Sequence, residues 1–285
     1  MSLNVAIPDT SLSESGDLRQ KTIKAGRIGR ALAVFRVEHA VVYDSGLLDD
    51  SMSQDANLLV KLLRYLDTPQ YLRRRAFSRS SSLKYAGLLP PLRTQSHPLA
   101  ARISDLAEGD IRWGIQLRPG KVDLGLDKPL NYEGRVSERN PTLFEVTSPP
   151  PNVKLNQIDR SDVPRYFGFE VTRESNLVKW LKDMAGTTRV GLSRNATEYE
   201  KLENDLKTTV EGTLSVLAVF GGPDHGVQEV IKSMGASPSE CIDFWLNAIP
   251  GQGTETVRLD EALLVSLGLL NHSLGRFVAK PGFYE

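Results

Sequence analysis

The stretch Leu246–Leu270, LNAIPGQGTETVRLDEALLVSLGLL, decides how the chain is read. Its first residues end an apolar run, Ile242 to Ala248, that reads as a strand; Pro250, Gly251 and Gly253 then kink a loop. Leu259, Ala262, Leu263, Ser266 and Leu270 follow at helical spacing, with Thr254 or Thr256 expected as N-cap. The glycines flanking Gln252 let backbone run close to a ligand, and the N-terminus of the helix offers unpaired N–H groups. Strand, turn and capped helix also occur in most α/β proteins, so a purely structural role is the competing reading.

Working outward, the same texture appears at both ends of the chain. Leu3 to Pro8 reads as a strand, Asp17 to Phe35 as a helix, His39 to Tyr43 as a buried parallel strand and Asp55 to Leu66 as a leucine-faced helix. After Tyr166 the pattern resumes: strand Phe167 to Val171, helix Ser175 to Met184, strand Thr188 to Leu192, polar helix Ala196 to Leu206, strand Leu214 to Phe220 and helix Gly226 to Met234. Alternation of this kind predicts a parallel α/β sheet. Three strands end in loops of small or polar residues, at Leu192-Ser193-Arg194, at Phe220-Gly221-Gly222-Pro223 and at Asn247 to Thr256. Parallel sheets bind ligands beyond the carboxyl ends of their strands, so three such loops say more than one.

Between these halves the texture differs. From Leu88 to about Arg165 the chain is punctuated by prolines, including Pro149-Pro150-Pro151, and short candidate strands alternate with turns. These strands, Arg112 to Leu117, Lys121 to Leu124, Asn131 to Val136 and Leu143 to Thr147, predict a small β domain inserted into the α/β one. Just before it, Arg73, Arg74, Arg75, Arg79 and Lys84 interleave with Tyr71, Phe77 and Tyr85, a mixture suited to phosphate contact and base stacking; the bland reading is a solvated charge run.

Composition narrows the classes. The 285 residues, 40% hydrophobic and 25% charged, suit a soluble globular protein of one large or two ordinary domains. The 35 basic and 35 acidic residues cancel, so a nucleic-acid partner must be met by a local patch. Cys241 is the only cysteine, which excludes an internal disulfide and fits a reducing compartment. No apolar membrane span or signal peptide is expected, placing the protein inside the cell: cytoplasmic in a prokaryote, nuclear or nucleolar in a eukaryote. The P-loop pattern and the Gly-x-Ser-x-Gly elbow are missing, and the four histidines have no ligand spacing, so no metal is expected. His225, beside the Gly-Gly-Pro turn, reads as a solvated histidine.

Arg27 and Arg30 stand three apart in the first helix, and Gly26 and Gly29 there imply a close neighbour. Arg27-Ile-Gly-Arg-Ala followed by Phe35-Arg-Val-Glu-His-Ala-Val-Val-Tyr-Asp resembles the first motif of SPOUT methyltransferases, RNA-modifying enzymes with a trefoil-knotted sheet. Pro69-Gln-Tyr-Leu-Arg-Arg, Ala86-Gly-Leu-Leu-Pro-Pro-Leu, Val219-Phe-Gly-Gly and Pro250-Gly-Gln-Gly-Thr-Glu-Thr-Val-Arg-Leu-Asp-Glu-Ala resemble the archaeal and eukaryotic subfamily that carries an inserted OB-like β-barrel.

The resemblance implies an α/β knot domain over residues 1–87 and 166–285, with an OB-like insertion over 88–165. It implies S-adenosylmethionine as cofactor, held by Leu192, Ser193, Phe220, Gly221, Gly222, Leu246, Asn247, Ile249, Pro250, Gly251, Gln252, Gly253 and Thr256, largely through backbone groups. It implies a homodimer, and places Arg30 near the reacting RNA atom. Thr254 and Glu255, and Asp224 beside the second loop, are candidates for handling a proton. Arg27, Arg73, Arg74, Arg75, Arg79 and Lys84 would hold RNA. Eukaryotic relatives have Thr-Ser-Glu-Arg-Gly where this chain has Leu192-Ser-Arg-Asn-Ala-Thr-Glu, which leaves the role of Arg194 open. The expectation is an RNA methyltransferase acting on ribosomal RNA, with uridine N3 as the implied target. The alternatives are an RNA-binding assembly module that keeps the knot without turnover, and a small-molecule nucleotide enzyme, against which the basic patch argues.

Overall fold

The computed structural model describes residues 2–47, 53–98, 102–278 and 280–282. In chain order its strands are β1 (Ser2–Pro8), β2 (His39–Tyr43), β3 (Ile111–Arg118), β4 (Lys121–Asp123), β5 (Leu130–Asn131), β6 (Thr142–Ser148), β7 (Lys154–Ile158), β8 (Glu170–Glu174), β9 (Thr187–Glu198), β10 (Ser215–Val219) and β11 (Phe244–Asn247). The α-helices are α1 (Leu18–Val34), α2 (Ser53–Asp67), α3 (Arg73–Ala76), α4 (Leu177–Asp183), α5 (Tyr199–Val210), α6 (Val227–Ser233), α7 (Pro238–Cys241) and α8 (Leu259–Val278). They form two compact units: Met1–Arg64 with Tyr85–Pro90 and Phe169–Lys280, and Tyr65–Lys84 with Pro91–Gly168 and Pro281–Glu285. The basic run Arg73–Lys84 thus belongs to the unit that carries the β segment, which the sequence reading began at residue 88.

The first unit is built on a six-stranded sheet in the order β11-β9-β10-β1-β2-β8, and all five pairings are parallel. Its central strands β1, β2 and β10 are largely buried apolar runs because both faces are covered, whereas β8 and β9 carry exposed polar residues. One face packs Ala6, Val41, Tyr43, Leu217 and Val219 against Leu177 and Leu181 of α4, Val227, Val230 and Ile231 of α6 and Cys241 of α7. The alternate residues Val5, Ile7, Ala40, Val42, Val216 and Ala218 are equally buried. Helix α1 starts where the Asp17 carboxylate accepts the Gln20 N–H at 2.8 Å. It runs beside α8 in the same direction: Arg27 meets Asp260, Phe35 adjoins Gly268, and Arg36 donates to Asn271 at 2.9 Å. Gly26 has the close neighbour its position implied, since a methyl group there would lie 2.7 Å from Pro90.

In the second unit five antiparallel strands run β5-β4-β3-β6-β7 over a core of Leu106, Val122, Leu124, Leu130, Phe144 and Val146. Strand β7 has no clean alternation in KLNQI and was not expected from the sequence; β5 is two residues rather than the expected six. Two boundaries also move in the first unit. The strand expected at Phe167–Val171 is β8, starting at Glu170, because Gly168 turns left-handed at φ 87° beside Asp67. The strand expected to stop at Leu192 continues to Glu198, and α5 begins at Tyr199, not at Ala196. Pairing with β11, Leu246 opposite Thr197 and Asn247 opposite Glu198, holds that segment extended against its helical pattern.

Candidate functional site

The carboxyl edge of the parallel sheet brings the three small-residue loops together. Between β9 and β11 the register jumps: Trp245 faces Gly191, but Leu246 faces Thr197, so Leu192–Ala196 bulge out of the ladder. Gly191 is fixed by packing, for a methyl group there would lie 2.6 Å from the Trp245 ring. The bulge is clasped to the loop after β11. Asn247 Nδ2 donates to the Arg194 carbonyl at 2.8 Å, and the Arg194 guanidinium donates to the Glu255 carbonyl at 2.9 Å. Gln252 Nε2 bridges the carbonyls of Thr254 and Glu255 at 2.8 and 3.1 Å, and the Ile249 N–H is held by Asn247 Oδ1 at 2.9 Å. Side-chain amides therefore shape this loop from within.

That shaping leaves the backbone of the loop available. Gly251, at φ 64°, and Gly253 have open space where a Cβ would stand, and both are exposed. Among the described residues, the N–H groups of Gly251, Gln252, Gly253 and Thr254 donate no hydrogen bond. Exposed donors of this kind can bind the polar groups of a ligand. Neither expected threonine caps the helix: Thr254 Oγ1 donates to the Thr256 carbonyl at 2.9 Å, and α8 starts three residues after Thr256, with Glu261 reaching back to the Arg258 N–H at 2.9 Å. The Glu255 side chain is exposed.

The middle loop is tighter. Phe220 donates its N–H to Ala6 at 2.9 Å and accepts from Tyr43 Oη at 2.7 Å, and its side chain is buried, as is that of Leu246. These two residues thus offer a ligand backbone at most. Gly222 donates to the His225 carbonyl at 2.9 Å, and a methyl group on it would lie 2.5 Å from Thr10 Oγ1. One on Gly221 would lie 2.9 Å from Gly226 Cα. Both glycines are explained by their own turn, and Gly251 by its left-handed φ, whereas Gly253 has neither a close neighbour nor a positive φ. Leu192 and Ser193 are half-buried, Pro250 and Thr256 exposed, and His225 and Asp224 sit exposed on the turn.

The cations separate by what they touch. Arg27 is 64% exposed and approaches Asp260 at 3.4 Å, and Arg30 is exposed on the same helix. Arg73 is committed to its own unit: it donates to the Leu66 and Thr68 carbonyls at the end of α2, at 3.1 and 2.9 Å, and stacks on Tyr65. Arg75 pairs with Asp123 at 3.4 Å. Arg74, Arg79 and Lys84 are exposed.

A family model described as "Putative RNA methyltransferase" matches residues 2–270. The chain belongs to this family. The RNA methyltransferase is 30% identical to an uncharacterized protein of Halobacterium salinarum, over 95% of this chain and 99% of that one. It is also 30% identical to a human protein named 28S rRNA (uridine-N(3))-methyltransferase, over 95% of this chain and 78% of the human one. A Caenorhabditis elegans protein named putative methyltransferase spot-1 is 25% identical over 81% of this chain and 68% of its own length. A solved structure of a putative methylase family protein from Neisseria gonorrhoeae aligns at TM-score 0.39 and 11% identity, covering 96% of this chain and 83% of that one; so distant a likeness carries no weight.

Sequence reasoning did not single out a further polar group at the same edge of the sheet. Asp9 and Thr10 follow the carboxyl end of β1 and Ser45 that of β2, with Thr10 beside Gly222. Asp9 is 3% exposed and accepts from Ser45 Oγ at 2.6 Å; burial pushes its carboxyl above the ordinary range despite that bond. The signal was legible, since a polar residue directly after an apolar strand, Asp9 after Pro8 and Asp44-Ser45 after Tyr43, marks the ligand edge of a parallel sheet. Among the described residues no group of three or more His, Cys, Asp or Glu is placed to hold a metal, and no helix is long and apolar enough to cross a membrane.

Proposed function

We propose that this enzyme transfers a methyl group from S-adenosylmethionine to N3 of a uridine in ribosomal RNA. The observation that carries the reading is the clasp between Leu192–Ala196 and Asn247–Glu255, which leaves undonated N–H groups and two open glycines at the carboxyl edge of the sheet. Residues that fit the cofactor are Ser193, Asn247, Ile249 and Gly251–Gly253 by backbone contact, with Gly221 and Gly222 closing the pocket. When bound, the sulfonium supplies an electrophilic methyl group. The names of the relatives support ribosomal RNA and uridine N3.

The chemistry asks two things of the protein. Methyl transfer is an in-line displacement, so orientation of acceptor against donor can contribute roughly 7 to 11 kcal/mol. Uridine N3 bears a proton, which must leave before or as the N–CH3 bond forms. The exposed Glu255 carboxylate is the proton acceptor in this reading, and Arg30 stabilises the negative charge left on the base. Thr254, its hydroxyl donated to Thr256, can accept a hydrogen bond from the base.

Three architectural readings accompany this one. The strand order, with β11 outside β9 although β10 follows β9 in sequence, supports a knotted C-terminal segment. The five-stranded antiparallel sheet supports an OB-like insertion. Leu264 and Val265 on α8 and Val34 on α1 are 48%, 41% and 49% exposed on neighbouring helices, which supports a homodimer through that helix pair.

Calorimetry with S-adenosylmethionine tests the cofactor. Absence of binding at millimolar concentration would sink the enzyme, while binding without transfer to ribosomal RNA would leave an RNA-binding module. Arg30→Ala should keep cofactor binding and lose transfer.

A further inference from the structure

Strands β3 and β4 form a hairpin in which Arg118 and Lys121 are direct cross-strand partners. Like charges placed opposite each other in a sheet repel, and among the described residues no side chain pairs with either. Among the described residues neither side chain forms an ion pair or hydrogen bond, and neither does that of Lys128 in the loop before β5. All three line one depression of about 470 Å³, completed by Leu117 and Pro129, and no carboxylate lines it. Lys121 and Asp123 are two apart on β4 and so share a face, and Asp123 is already engaged by Arg75 at 3.4 Å and by the Gly125 N–H at 2.9 Å. The positive charge is thus concentrated at an exposed place where a polyanion would be attracted and would relieve the repulsion. Leu117 and Pro129 add apolar surface that suits a ribose or base edge between phosphates.

We propose that this depression binds the phosphate backbone of the substrate RNA through Arg118, Lys121 and Lys128, a site additional to the basic run; the inference rests on RNA being the substrate. The cations are point contacts without a base-reading scaffold, so the site holds RNA irrespective of sequence.

The test is binding of a fluorescein-labelled oligouridylate across a salt series. On a single strand each phosphate that the protein neutralises contributes roughly 0.7 to the log–log salt slope, so Arg118→Ala/Lys121→Ala/Lys128→Ala should lower the slope by roughly 2. Arg118→Lys/Lys121→Arg/Lys128→Arg should keep the wild-type slope. Lys128→Ala alone leaves the hairpin intact and should cost roughly 0.7 of the slope, which keeps the test open if the triple variant fails to fold. Binding of S-adenosylmethionine should be unchanged in all three. If the wild type binds the oligomer and the alanine variants show its slope, the depression is not a phosphate site although the RNA reading stands. If the wild type does not bind at low salt, both fall together.

Discussion

Gly191 shows how a single residue ties sheet packing to the site, because its missing side chain lets the Trp245 ring close onto the strand just where the bulge begins. Gly191→Ala should cost about 1–3 kcal/mol by overpacking, read from denaturant midpoints, and should weaken cofactor binding in parallel. Arg194 acts in the opposite sense, adding one bond across two loops. Arg194→Ala should weaken S-adenosylmethionine binding by roughly the net worth of one hydrogen bond, ~0.5–1.5 kcal/mol or about 2- to 10-fold, with the unfolding midpoint nearly unchanged. His97 carries a pH dependence. Its Nε2 meets the Leu66 carbonyl at 3.0 Å and Nδ1 meets Thr94 and Ser96 at 2.9 Å, and burial lowers its pKa, opposed by the nearby Asp67 charge. A lowered imidazole keeps its stabilising contribution above the unfolded value of about 6.5 and loses it as pH falls below, since the unfolded chain then binds the extra proton. Thermal midpoints should therefore drop on acidification below about pH 6.5, and His97→Gln should flatten that drop; an unchanged profile would rule the assignment out. His39, also lowered by burial, contributes to what slope remains.

At the scale of elements, the first unit was legible because its central strands are short continuous apolar runs, as Val41, Val42 and Tyr43 in β2, and its helices bury residues on a helical period, as Leu59, Leu62, Leu63 and Leu66 in α2. What was not legible depended on partners distant in sequence. The segment Ala196–Glu198 is extended because β11 pairs with it, and β7 is a strand because β6 lies beside it. Arg73 looked like RNA-binding charge, yet it caps the end of α2, an arrangement visible only once the chain has folded back. Charge reversal aimed at RNA is thus better placed on Arg74 and Arg79. The exposed Leu264 and Val265 give α8 its own prediction: Leu264→Asp with Val265→Asp should convert a dimer to a monomer in light scattering, and an unaltered mass would remove α8 from the interface.

For the whole molecule, neutral net charge hides local exposed cations in both units, Arg27, Arg30 and Arg194 among them in the first. The parallel sheet supplies a backbone-lined edge with little charge, and the second unit carries the exposed cations Arg74, Arg79, Arg118 and Lys128. The three small-residue loops were readable as strand ends, but the clasp between the first and third through Asn247, Arg194 and Gln252 was not, because it runs through side chains whose partners are carbonyls. The most direct measurement is incubation of the purified protein with isotopically labelled S-adenosylmethionine and unmodified large-subunit ribosomal RNA, followed by mass spectrometry of the digested nucleosides. Labelled 3-methyluridine, lost in Arg30→Ala, is the predicted result; ribosomal RNA left without label, or label on another nucleoside, would contradict it.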